Sequence, residues 1–312
     1  MANIKELSKL PERLGPGHRL CSGCGASIAV RQILMGAGET PVVAGSATGC
    51  LEVATTIYPF TAWNIPFIHN AFENSAATMS GVETAYRALK KQGKIKKDIK
   101  FIAFGGDGGT YDIGLQSLSG ALERGHNFVY VCYDNGAYMN TGIQRSSATP
   151  TGASTTTAPA GKASYGKQQE RKDLTAIVAA HKIPYVAQGS ISHWNDLVTK
   201  SKKAFEVEGP AFINVLSLCH RGWRYPQENG VVVAKTAVDT CFWPLYEITN
   251  GKEYKINYKP KEKKPITEWL KLQGRFKHLF KPGNEKVLSV IQGNVDKEWE
   301  FLQKRETCFS SL

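Results

Sequence analysis

Asp107 and Asn135 are the two residues of this chain whose types and spacing point most directly to chemistry. Asp107 stands in Gly105-Gly106-Asp107-Gly108-Gly109, and Asn135, 28 residues later, in Asp134-Asn135-Gly136-Ala137-Tyr138-Met139-Asn140. Each lies just past an apolar run, 99–104 and 128–133, that reads as a buried parallel strand, and Leu115–Glu123 reads as the helix between them. Two oxygen-bearing side chains are therefore expected at the carboxyl edge of one sheet, where open α/β folds hold their ligands. A Mg²⁺ ion takes near-octahedral oxygens from one or two side chains, a backbone carbonyl and the oxygens of a phosphate. Gly106 and Gly108 let the backbone come close to such a phosphate. The plainer reading is a Gly-rich turn and an Asn-Gly turn in an ordinary βαβ unit. It accounts for either motif alone and less well for their order along the chain.

The cysteines offer a second chemistry. Cys21-Ser22-Gly23-Cys24 is a CxxC among glycines, Cys50 follows in Ser46-Ala47-Thr48-Gly49-Cys50, and Cys219 lies far downstream in Leu218-Cys219-His220-Arg221-Gly222-Trp223. Four thiolates in loop-rich settings can hold a [4Fe–4S] cluster or a structural Zn²⁺. Zinc fingers usually close with a second CxxC or HxxxH at short range, and none is present, so scattered third and fourth ligands suit a cluster better. A thioredoxin-like redox pair remains a further reading of the CxxC. Cys132 sits in an apolar strand and is most simply a small core residue. Cys241 and Cys308 have no motif around them.

Taken together, these motifs resemble the β subunit, the thiamine-diphosphate-binding chain, of the pyruvate:ferredoxin oxidoreductase group of 2-oxoacid:ferredoxin oxidoreductases. The resemblance rests on Leu20-Cys21-Ser22-Gly23-Cys24-Gly25, residues 46–52, His69-Asn70-Ala71-Phe72-Glu73-Asn74, residues 105–112 and residues 133–145, and covers roughly 15–250. It implies that Cys21, Cys24, Cys50 and Cys219 hold a [4Fe–4S] cluster. It also implies that Asp107, the Asn135 side chain and the Ala137 carbonyl hold Mg²⁺, with Asn140 facing the substrate. Gly49, Gly106 and Gly108 would lie against the cofactor, and Thr48 would set a hydroxyl near it. Thr48 is otherwise a turn residue bonding its own backbone. Glu52 and Glu73 are conceivable activators of the cofactor's pyrimidine ring. In the family that carboxylate comes from another subunit, so neither is assigned. His69 is read as a contact to cofactor or substrate, or as a structural residue. The implied partners are a pyrimidine-binding α chain, a ferredoxin-like chain, ferredoxin and a small 2-oxoacid, and the chain alone is expected to be inactive. One departure stands out: the family usually has Cys-Pro-Thr-Gly-Trp at the fourth cysteine, where this chain has His220-Arg221. An added fixed charge near a site for anions keeps oxalate, substrate of the oxalate oxidoreductase branch, beside pyruvate as an alternative. A non-redox thiamine-diphosphate decarboxylase or carboligase with structural zinc is the further alternative.

The elements that must position these residues read as an α/β fold, a doubly wound, mostly parallel sheet of the diphosphate-binding type with a C-terminal extension. Residues 28–35, 74–92, 173–181 and 194–207 have helical spacing, and 41–45, 185–188 and 212–216 read as strands. Residues 146–172 are rich in Thr, Ser, Ala and Gly without periodicity, as expected of a functional lid or partner-contacting loop. The expected division is 1–250 for the cofactor- and cluster-binding domain and 251–312 for a Lys/Pro-rich, subunit-contacting arm ending in a helix over 285–305. With 312 residues and 42% hydrophobic content, the chain can bury a substantial core. No run approaches the roughly 20 apolar residues of a membrane span. Residues 1–11 lack the apolar core of a signal peptide, and seven cysteines fit a reducing cytoplasm with metal ligation rather than a disulfide framework. The net charge of +12 is concentrated in 90–100 and 252–264 without a recognition helix, so solvated faces are expected and nucleic acid is not. An acidic partner such as a ferredoxin is the functional alternative.

Overall fold

Alternation of side chains in a strand decides how this chain layers. In the computed structural model, which describes residues 3–309, the run after Phe128 forms β4 (Val129–Asp134). Val129, Val131 and Tyr133 enter one hydrophobic core, and Tyr130 and Cys132 enter the other. A strand buried on both faces needs a layer of helices on each, which is the doubly wound arrangement. The remaining strands are β1 (Val42–Ala47), β2 (Phe67–Asn70), β3 (Lys100–Gly106), β5 (Tyr185–Ser190), β6 (Ala211–Leu216), β7 (Leu245–Thr249) and β8 (Glu253–Tyr258). They make one sheet in the order β2-β1-β3-β4-β6-β5-β7-β8. The first six are mutually parallel, and β7 and β8 are antiparallel additions.

The strand order places the site. From β1 the chain runs outward to β2, and from β3 it runs the other way to β4, although β1 and β3 are neighbours. The loops leaving β1 and β3 thus diverge and open a crevice at their carboxyl ends, the topological switch point.

Helices 28–35, 74–92, 173–181 and 194–207 appear as Gly25–Met35, Ser75–Lys91, Leu174–Ala179 and Trp194–Glu206, and Leu115–Glu123 has the expected bounds. The segment after residue 250 is not solely an arm. Asn250 and Gly251, both at positive φ, turn the chain back so that β8 pairs with β7, and the sheet continues across that position. Exposed Lys255 on this edge strand, with Lys252 and Lys259 at its two ends, disguises it as a connector. Glu285–Phe309 then packs along β8, where the Ile256 amide donates to Glu306 Oε1 at 2.7 Å. Among the described residues, no helix is long and apolar enough to cross a membrane.

Candidate cofactor cleft and cysteine cluster

Loops after β1, β3 and β4 bring Thr48, Gly49, Gly106, Asp107, Gly108, Asn135, Ala137 and Asn140 to one cleft, together with Cys50 and Tyr133. Asp107 is fully buried. Its Oδ1 accepts the Asn135 backbone N–H at 3.2 Å, and its Oδ2 accepts the Ser146 hydroxyl at 2.5 Å. The Asn135 side-chain amide directs one atom at both the Ala137 carbonyl (2.9 Å) and Asp107 Oδ1 (3.0 Å). With its NH₂ turned that way it donates to both oxygens. With its carbonyl turned that way, the Asn135 oxygen faces both of those oxygens. Burial, then the nearby Asp134 carboxylate, pushes Asp107 well above the usual carboxylate range. A bound cation acts in the opposite sense.

Asp134, which the motif reading left without a role, frames the loop that carries Asn135. Its Oδ1 accepts the Gly136 N–H at 3.0 Å, and its Oδ2 accepts from Tyr111 and Arg171, each at 2.7 Å. Residues 146–172 are not a free lid. Ser146 and Thr149 are buried and grip Asp107 and the Gly136 carbonyl, and the buried Lys167 ammonium donates to the Ser147 (3.0 Å) and Thr149 (2.6 Å) carbonyls. The irregular segment is thus a second wall behind the site. Its composition signalled a missing helix or strand, but nothing in it signalled burial.

On the β1 side, Thr48 Oγ1 donates to the Asn70 carbonyl at 2.8 Å and stands 3.1 Å from His69 Nε2. His69 Nδ1 faces the buried Glu52 carboxylate at 3.2 Å, which also accepts from Thr56 Oγ1 at 2.6 Å. Because a carboxylate only accepts, Nδ1 carries a proton, and Nε2 is the nitrogen turned to Thr48. Glu52 is committed to this chain. Asn140 sits exposed at the cleft's rim.

The four cysteines approach one another from three segments. Cys24 caps helix Gly25–Met35, Cys50 opens helix Cys50–Thr55, and Cys219 accepts the Gly222 N–H at 3.4 Å. The two distant segments are clasped where the Gly25 amide donates to the Leu218 carbonyl at 3.0 Å. A Cβ on Gly25 would lie 2.5 Å from the Leu218 nitrogen, so only glycine permits that approach. Cys21, Cys24, Cys50 and Cys219 lie within electrostatic reach of one another. Among the described residues, no three Cys, His, Asp or Glu side chains are drawn close enough to hold one metal ion. Burial pushes the Cys24 thiol up to about 11 and the Cys50 thiol to about 12, with the neighbouring cysteines adding to the effect. Cys132 is buried in β4, as a core residue.

Arg221, the suspected anion ligand, is exposed and does not line the cleft. A buried cation beside Trp223 is Arg275, which stacks on that ring at 3.8 Å and donates to Gln273 at 2.9 Å. Burial pushes it down to about 9, so it stays charged at neutral pH, and Asp134 and Cys219 favour that charge. Its distance in sequence from every motif hid it.

The fold and this cleft have counterparts among known proteins. The thiamine pyrophosphate enzyme C-terminal TPP-binding domain matches residues 47–215, from the end of β1 almost to the end of β6. The pyruvate synthase subunit PorB of Thermotoga maritima is 54% identical over 96% of this chain and 95% of its own. PorB of Methanocaldococcus jannaschii is 54% identical over 93% and 96%. The ketoisovalerate oxidoreductase subunit VorB of Pyrococcus furiosus is 44% identical over 98% of both chains. A 2-oxoglutarate:ferredoxin oxidoreductase from Magnetococcus marinus shares the fold, with TM-score 0.56 and 21% identity over 73% of this chain and 82% of that one. This chain therefore belongs to the thiamine pyrophosphate enzymes with a C-terminal TPP-binding domain. Within them it is a member of the PorB group of oxidoreductase subunits.

Proposed function

We propose that this chain is the thiamine-diphosphate- and [4Fe–4S]-bearing subunit of a cytoplasmic 2-oxoacid:ferredoxin oxidoreductase, acting on pyruvate. The observation that carries the cofactor half is the Asn135 contact geometry. Oxygens about 2.1 Å from an octahedral Mg²⁺ are separated by about 3.0 Å along each edge. The Asn135 side chain lies 2.9 and 3.0 Å from the Ala137 and Asp107 oxygens. Asp107, the Asn135 carbonyl and the Ala137 carbonyl would hold Mg²⁺, and Gly106 and Gly108 would admit the diphosphate. Gly49 would keep the turn after β1 close to the cofactor. When bound, thiamine diphosphate supplies the carbanion and electron sink that decarboxylation needs. Thr48, held by Asn70 and His69, sets a hydroxyl at the cleft, and Asn140 offers an orienting amide at the rim.

For the cysteines, Cys21, Cys24, Cys50 and Cys219 come from three segments to one region, a scattered ligand set that suits a multi-iron body. A tetrahedral Zn²⁺ at about 2.3 Å from each sulfur would draw them to about 3.8 Å apart. A cluster beside the cofactor takes electrons singly, which a protonating decarboxylase does not require. Pyruvate is favoured over oxalate because the PorB relatives are named pyruvate synthase subunits and Arg221 is exposed. A branched 2-oxoacid is the second reading, supported by the VorB relative. The pyrimidine-contacting carboxylate would come from an α chain, since Glu52 is engaged by His69 and Thr56. A ferredoxin-like chain would carry electrons onward to ferredoxin.

The test is the anaerobically purified complex: thiamine diphosphate, Mg²⁺, iron and sulfide contents, then a panel of pyruvate, ketoisovalerate, 2-oxoglutarate and oxalate with ferredoxin. Fastest reduction with pyruvate is expected. Zinc in place of iron, or preference for another acid, overturns the corresponding part.

A further inference from the structure

Tyr133 presents an unexplained hydroxyl. Its ring is buried in β4, yet among the described residues no acceptor meets the phenol proton. Leaving such a group unpaired is destabilising, and a phenylalanine would avoid that cost. The oxygen has a defined direction: it lies 2.7 Å from where a Cβ on Gly49 would be and 3.4 Å from that of Gly106. It therefore points at the turn between Thr48 and Cys50, beneath the cleft.

We propose that the Tyr133 hydroxyl donates a hydrogen bond to the Cys50 sulfur when that sulfur is a cluster-ligating thiolate, and thereby raises the cluster's reduction potential. This rests on the cluster part of the proposed function. A thiol is a weak acceptor, whereas a thiolate is a strong one, so the partner of this proton arises only when metal binds. A phenol has one proton to give, and Cys50 is the residue that follows directly on the Gly49 turn the oxygen faces. The Leu51 backbone amide at that turn is itself a donor and offers the phenol proton nothing. The sulfur is thus the match for the proton at that turn. Hydrogen bonds to cluster sulfurs stabilise the reduced, more negative state.

The experiment is an EPR-monitored redox titration of the anaerobic complex carrying Tyr133→Phe, following the signal that disappears in Cys24→Ser. Iron, sulfide and thiamine diphosphate contents should match the unaltered complex, and the midpoint potential should move to a more negative value. Tyr130→Phe, which removes a hydroxyl already paired with Thr110 at 3.2 Å, should leave the potential in place. An unchanged potential in Tyr133→Phe with a full cluster overturns this proposal alone. Weaker thiamine diphosphate binding at unchanged potential assigns the hydroxyl to the cofactor and overturns it too. An unaltered complex without iron overturns the cluster assignment and this proposal together.

Discussion

At the scale of single residues, the cleft buries one carboxylate, Asp107, behind which Asp134 is already paired with Arg171. Asp107 is buried beside Asp134, and its carboxyl is pushed upward by both burial and that neighbour. Asp107→Ala is therefore expected to lower Mg²⁺-dependent thiamine diphosphate affinity by more than about 100-fold while leaving the melting temperature little changed. Calorimetric titration showing undiminished binding would remove the metal assignment. Ser146→Ala tests the layer behind it. Losing the hydroxyl that donates to Asp107 Oδ2 should weaken binding by about 10- to 100-fold, the usual effect of outer partners of a ligand. The thiols make a different prediction. With Cys24 near 11 and Cys50 near 12, both are protonated in the metal-free chain at neutral pH. Thiolates are the ligands, so cluster assembly releases protons and should become more favourable as pH is raised from 7 to 9. Iron incorporation that is flat or falls over that range contradicts these four residues as ligands.

At the scale of elements, two joints hold the site together. The first is the clasp between the cysteine loop and the end of β6. Gly25→Ala forces the segments carrying Cys24 and Cys219 apart, because the new methyl meets the Leu218 backbone. Iron content should fall, and thiamine diphosphate binding, which uses other loops, should persist; loss of both would show the joint to be global. The second joint is Lys167, which pins residues 146–172. Burial lowers its pKa from 10.5 to about 8, so the folded chain sheds this proton before the unfolded one does. Between about pH 8 and 10.5 the unfolded state binds more protons, and the contribution of this group to stability rises with pH. Below 8 the charged form carries its burial cost. Chemical denaturation from pH 7 to 10 should show that increment in the unaltered chain and not in Lys167→Met; identical slopes would place the ammonium in solvent.

At the scale of the whole molecule, the cleft lies at the open edge of one chain, with His69 and Asn140 exposed at or near its rim. Glu52, the carboxylate nearest Thr48, is already engaged by His69 and Thr56. The isolated chain is expected to bind Mg²⁺–thiamine diphosphate weakly and to turn over no 2-oxoacid, with activity appearing when the α and ferredoxin-like chains are added. Turnover of pyruvate by the purified chain alone would sink the shared-site reading. The positive charge belongs to this scale too. Its lysine-rich stretches lie along helix ends and the β8 edge, so ferredoxin reduction is expected to slow at higher ionic strength if that surface guides docking.

The sequence by itself determined the parallel αβ alternation, the Asp107–Asn135 pair and the four candidate cysteines. These are local facts: strand and helix periods, turn glycines and fixed spacings survive without knowledge of what packs where. It also placed Gly49, Thr48 and Ala137 beside the cofactor through resemblance, and the fold brings them to one cleft. Only the tertiary structure decided that residue 250 lies in a hairpin of the same sheet, because an edge strand faces solvent and looks like a linker. It alone revealed that Ser146, Thr149 and Lys167 of the irregular segment are buried behind the site, that Glu52 and His69 steady Thr48, and that Arg275 is buried where Arg221 is exposed. Those assignments depend on contacts between segments far apart along the chain, as where the Ser154 amide donates to the Arg275 carbonyl at 3.0 Å. No spacing rule reaches that far, since burial and partnership are properties of the packed interior.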